Sequence, residues 1–198
     1  MNKMKVELRS GGVSISGYVN AVDRYSRPMR ASDGRIFIEK ILPGAFKRAI
    51  EKAENIKVKH NHKRIITDQR SGQVTLKEDS IGLYCEGFFT DEEIVERAKN
   101  KELVGWSFGF LPDKYIDGDS SQFGVDFERS IEDLTLNEVS IIDKRQLPCY
   151  VGTSIEVRSE ENTDVSFRAN TGECEYTEEK KSDYSLKRKR LNLMKDSV

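Results

Sequence analysis

Val104-Gly105-Trp106-Ser107-Phe108-Gly109-Phe110 reads as a short strand with two unlike faces. Side chains alternate sides along a strand. Val104, Trp106, Phe108 and Phe110 therefore share one side, and Gly105, Ser107 and Gly109 share the other. Aromatic and β-branched residues suit a pleated surface packed on a core. The opposite side is reduced to two glycines and a hydroxyl, and a glycine inside a strand often marks close approach by another backbone or a ligand. Ser107 is thus either a core serine between packing glycines or a nucleophile beside a groove for an extended chain.

Outward from this strand, period-two segments dominate. Val13 to Val22, Arg35 to Lys40, Gly72 to Asp79, Gly82 to Phe89, Gly124 to Arg129 and Leu134 to Asp143 all read as strands. Ile56, Val58, His60 and His62 share one face of a further strand, if it stays extended through His62. Phe46, Ala49, Ile50 and Ala53 mark one side of a helix, with Pro43 near its start. Thr90-Asp91-Glu92-Glu93 has the form of a capping box, Thr90 as N-cap, opening a second helix that buries Ile94, Val95 and Ala98. The Gly/Asp/Ser-rich run from Pro112 to about Ser121 reads as a loop. These elements predict a mainly β domain with flanking helices.

A chain of 198 residues accommodates one domain and a tail. The expected division is a domain over 1–157 and a polar tail over 158–198, which ends near Lys187-Arg188-Lys189-Arg190 and is too polar to pack a core. With a net charge of −1, nothing drives the chain globally toward nucleic acid or an acidic membrane. No apolar run reaches the roughly 18 residues of a membrane span, and the first residues lack a secretory signal, so a cytosolic setting is expected. Cys85, Cys149 and Cys174 are odd in number and widely spaced, as for reduced thiols rather than a disulfide framework or zinc site.

Three polar groups fall on faces the pattern would otherwise bury: Ser107, a histidine (His62 or His60) and Glu138. A serine becomes nucleophilic when a neighbouring imidazole takes its proton, and a third group fixes the imidazole tautomer. Each residue also has a plainer reading. A histidine on an apolar face can be a satisfied core residue, and Glu138 can pair with a buried Arg or Lys. His60 and His62 could offer two metal ligands, but no third ligand stands at a recognisable spacing, so neither metal nor cofactor is expected.

Several stretches together resemble the prohead (capsid maturation) serine proteases of tailed bacteriophages. They are Gly17-Tyr18 with Ala21-Val22, Phe37 through Phe46, Asn61-His62, Gly72 through Asp79, Gly82-Leu83, Trp106 through Phe110, and Leu136-Asn137-Glu138-Val139-Ser140, in the family's order over roughly residues 14 to 150. The resemblance implies a herpesvirus assemblin-like β-barrel surrounded by helices. It implies a serine endopeptidase that trims scaffold and capsid-protein extensions inside the procapsid, in the host cytoplasm. By motif, Ser107 matches the nucleophile and His62 the catalytic histidine, although Lys63 stands where an acidic residue is common. Herpesvirus relatives use a second histidine after the serine, and this chain has none, so an acid must serve. Glu138 is best placed, with Asp133 and Asp143 as fallbacks. Partners would be the capsid protein and scaffold segments as substrates, with a homodimer as one assembly to test. Self-cleavage in the tail is a further expectation. The competing reading is a non-catalytic capsid-assembly or scaffolding module on the same fold.

Overall fold

The computed structural model describes residues 3–119, 123–146, 166–172 and 174–179. In chain order the elements are β1 (Lys5–Arg9), β2 (Gly12–Ala21), β3 (Met29–Arg30), β4 (Ile36–Ile41), α1 (Ala45–Lys52), β5 (Lys57–His60) and β6 (Arg64–Asp68). They continue with β7 (Val74–Glu78), β8 (Gly82–Phe89), α2 (Glu92–Lys99), β9 (Leu103–Gly118), β10 (Phe127–Asp143), β11 (Ser166–Thr171) and β12 (Glu175–Glu178).

The strands build two sheets. One runs β12-β1-β2-β8-β7, and the other runs β11-β9-β10-β4-β3 with β5 and β6 attached beside β10. β10 is long enough to serve two neighbours on one edge. Phe127–Ile131 pairs in parallel with β4, and Glu138–Ile141 pairs in parallel with β5. Trp106, Phe108 and Phe110 are fully buried and join Val6, Ile15 and Leu83 of the other sheet in one core. The Phe108 ring stacks on Phe110 at 5.2 Å and meets Phe46 of α1 edge-on at 5.4 Å. Burying side chains of this size stabilises by roughly 1.5–3 kcal/mol each.

The mainly β class stands, and the barrel does not. Among the described residues no strand pairing joins the two sheets into a closed cylinder, and the helices are two segments of eight residues rather than a surrounding layer. The expected loop after Pro112 is also corrected. β9 continues to Gly118 because its backbone pairs with Glu128–Leu134 of β10, and pairing outweighs a turn-rich composition. At α2 the cap is Asp91, not Thr90; its carboxylate accepts from the Ile94 N–H at 3.1 Å. At α1 the cap is Gly44 with φ 87°, and the Glu78 carboxylate reaches across from β7 to accept from the Gly44 and Lys47 N–H groups, both at 2.6 Å. A carboxylate there also complements the helix dipole.

The stretch read as a tail beyond residue 157 is described only at 166–172 and 174–179, where it forms β11 and β12 within the sheets. The basic run at 187–190 and Cys149 lie outside the described residues.

Candidate active site

The site grows from three adjacent strands. β10 lies on one side of β9, with Ser140 opposite Ser107 and Glu138 opposite Gly109. β11 lies on the other side, with Ala169 opposite Ser107 and Phe167 opposite Gly109. Ser107, Glu138, Ser140, Phe167 and Ala169 therefore share a face, because partners in register point the same way. The glycines make this crowding feasible. A Cβ on Gly109 would fall 2.8 Å from Phe167 Cε1 and 3.0 Å from Glu138 Cγ. A Cβ on Gly105 would fall 2.1 Å from the Asn170 carbonyl oxygen. The backbone whose approach the glycines anticipate is this chain's own β11. Gly109→Ala should force Glu138 or Phe167 to shift and destabilise the fold by about 1–3 kcal/mol, as overpacking does. Urea unfolding of the variant beside wild type checks this.

His62 reaches the same face by a turn. The expected extended strand through residue 62 ends at His60, where the chain reverses into β6. Asn61 and His62 have φ of 51° and 62°, and the Lys63 N–H closes the turn on the His60 carbonyl at 3.0 Å. Positive φ at both central residues is the sign of a type I′ turn, which a non-glycine residue at His62 makes strained. The turn carries the ring over β10. The His62 N–H donates to Ser140 Oγ at 3.2 Å, and His62 Nδ1 meets Glu138 Oε1 at 2.5 Å. The ring also packs edge-on against Phe167 at 4.6 Å.

Glu138 is almost wholly buried, as its place in an apolar pattern predicts. Ser140 Oγ donates to its Oε1 at 3.2 Å, and the Lys59 ammonium rests against Oε2 as an ion pair rather than an aligned hydrogen bond. Burial pushes this carboxyl up, but the hydrogen bond from His62 and the neighbouring Lys59 ammonium outweigh it and hold the group below the usual glutamate value. A charged Glu138 accepting from Nδ1–H leaves Nε2 of His62 as the nitrogen free to take a proton.

Ser107 is fully buried, and what covers it is β11. Its hydroxyl donates to the Arg168 carbonyl at 2.8 Å rather than to His62. The structure thus brings His62 and Glu138 into contact, and sets Ser107 on their face without a hydrogen bond to the imidazole.

The other histidine belongs to a separate cluster. His60 is buried, with Nε2 3.0 Å from Asp143 Oδ2. Asn61 clamps Asp143 reciprocally: its side-chain amide donates to Oδ1, and its Oδ1 accepts from the Asp143 N–H, both at 3.0 Å. Arg145 adds two bonds to the same carboxylate. This cluster pins the start of the turn that carries His62. Asp133, the other fallback acid, faces Arg48 and Lys52 instead. Burial opposes ionisation of Asp143, yet Arg145, Asn61 and His60 prevail and lower it to about 2. A carboxyl depressed on folding contributes stability above its unfolded value and loses it as pH falls toward the folded one. The wild-type chain should therefore lose about 2 kcal/mol between pH 4 and pH 2 from this group. Urea unfolding across that range should show no such increment in Asp143→Asn.

Among the described residues no group of three or more His, Cys, Asp or Glu is arranged to hold a metal ion. Two surface hollows of about 310 and 390 Å³ lie on the β1-β2-β8-β7 sheet and contain none of the groups above. Sequence reasoning missed Lys59, Ser140 and β11. The available signal for β11 was the alternation Ser166-Phe167-Arg168-Ala169-Asn170-Thr171, set in an otherwise polar region.

Comparison with known families places these residues in context. The family model described as caudovirus prohead serine protease matches residues 2–168, a span that holds Ser107, His62 and Glu138. Neither a curated protein nor a solved structure matches the chain. The family match covers most of the sequence, and the chain belongs to the caudovirus prohead serine proteases.

Proposed function

We propose that this chain is the capsid-maturation endopeptidase of its phage, with Ser107 as nucleophile, His62 as general base and then acid, and Glu138 as the group that orients the imidazole. The observation that carries this reading is the hydrogen bond of a buried, charged Glu138 to His62 Nδ1, on the strand face that also bears Ser107. Ser107 turns its hydroxyl from the Arg168 carbonyl toward His62 Nε2, loses its proton there and adds to a peptide carbonyl carbon. His62 returns the proton to the leaving amine, and water attacks the resulting ester by the same route. Lys59 and Ser140 keep Glu138 fixed and ionised, so it can stabilise the imidazolium.

The substrates on this reading are extensions of the capsid protein and scaffold segments within the procapsid of the host cell, together with the chain itself. Co-expression with the capsid precursor of the same phage, followed by amino-terminal sequencing, tests it. A shortened capsid protein with a new amino terminus is expected. An intact precursor, co-assembled with the chain, would instead favour the scaffolding module.

A further inference from the structure

We infer that β11 lies in the substrate cleft as a substrate would, with the Arg168–Ala169 bond at Ser107 and with Glu39 selecting a basic side chain before the cleaved bond. This rests on the proposed protease reading and specifies its substrate. β11 fills the open edge of β9 as an added antiparallel strand, the mode by which a sheet edge takes an extended peptide. Its register sets the Arg168 carbonyl on the Ser107 hydroxyl at 2.8 Å. Gly105 and Gly109 remove the side chains that would keep such a strand away. Phe167, one residue earlier, packs on the His62 ring.

Arg168 is the residue whose side chain is recognised. Its guanidinium donates from Nε at 2.8 Å and from Nη2 at 2.5 Å to Glu39 Oε1, and it lies 5.5 Å from the centre of the Phe110 ring. Glu39 is itself buried on β4, with its backbone N–H held by Ser26 Oγ at 3.0 Å. A buried carboxylate at the end of a peptide cleft rejects acidic and apolar side chains, because either leaves its charge unpaired. In the step, Ser107 Oγ bonds to the Arg168 carbonyl carbon and its proton passes to His62. The proton then moves to the Ala169 nitrogen as the C–N bond breaks. Water releases Arg168 as a free carboxylate and returns Ser107.

The test is intact-mass analysis of the full chain, purified alone and incubated, beside capsid-precursor cleavage by the same samples. The wild-type chain and Arg168→Lys should yield fragments 1–168 and 169–198. Glu39→Arg and Arg168→Glu should each slow that cut at least about tenfold, and combining them should restore it. Circular dichroism identifies any variant that fails to fold, and the wild-type site and Arg168→Lys remain decisive in that event. A stable wild-type chain, a cut at another bond, or equal rates in the folded charge variants would overturn the inference while Ser107-dependent precursor cleavage left the protease reading standing. Loss of both activities in the wild-type chain would overturn both.

Discussion

In the Ser107→Ala chain, cleavage of a co-expressed capsid precursor should fall by about 10,000-fold or more, with the fold retained. The hydroxyl is the only group in the proposed mechanism that bonds to the substrate, and removing a triad nucleophile leaves only the modest acceleration from binding and electrostatics. The structural cost is small. Among the described residues Ser107 makes one side-chain hydrogen bond, to the Arg168 carbonyl, and losing it is worth about 1 kcal/mol. No cavity of consequence opens, since the change removes one oxygen between Gly105 and Gly109. Thermal unfolding of purified Ser107→Ala separates the two effects: a melting point within a few degrees of wild type, with no product by mass spectrometry, is the expected pair. Persistent cleavage would remove Ser107 from the nucleophile's role.

The second large effect is expected from Glu138→Gln. The side chain keeps its shape but can present an amide N–H where the carboxylate accepted from His62 Nδ1. That favours the tautomer with Nε2 protonated, which cannot take the serine proton. It also removes the charge that stabilises an imidazolium and leaves Lys59 without its buried partner. A change of this kind in a catalytic triad costs about 10,000-fold in kcat. Here about 100- to 10,000-fold is expected in kcat, with KM little changed, because in the proposed mechanism Glu138 orients the base and makes no contact with substrate. Progress curves at several peptide concentrations would show the split. A rise in KM at constant kcat would move Glu138 from orienting the base to binding.

How much of this was legible beforehand depends on how local the physics is. The two faces of β9 follow from alternation alone, and so does Glu138's place among apolar residues of β10, because a strand's period does not depend on its neighbours. The glycines beside Ser107 correctly announced a close-approaching backbone. They could not say which one, since pairing partners are set by tertiary contacts, and Ser166–Thr171 sits in a region whose composition argues against packing. Alternation places His62 beside His60 on one face and does not choose between them, whereas a turn with positive φ separates the two and gives each its own carboxylate: Glu138 for His62 and Asp143 for His60. That turn is held by Asn61 gripping Asp143, a contact between residues 82 apart that no local pattern encodes. Strand count likewise does not determine whether edge strands meet, and among the described residues no pairing closes the two sheets into a barrel.

The fit between β9 and β11 gives the site a second feature. Ser107 is covered by β11 in this arrangement. On the proposed protease reading, a second extended chain would need the edge of β9 that β11 occupies, so cutting or detachment of β11 would open the proposed site to it.

The most direct measurement is labelling by a fluorophosphonate probe, with the modified residue located by peptide mapping. The probe reacts fastest with a serine whose proton an adjacent base removes. One adduct per chain on the peptide carrying Ser107, lost in His62→Ala, is what a Ser107–His62–Glu138 mechanism predicts. Labelling of a different residue, or undiminished labelling of Ser107 once His62 is gone, would contradict it.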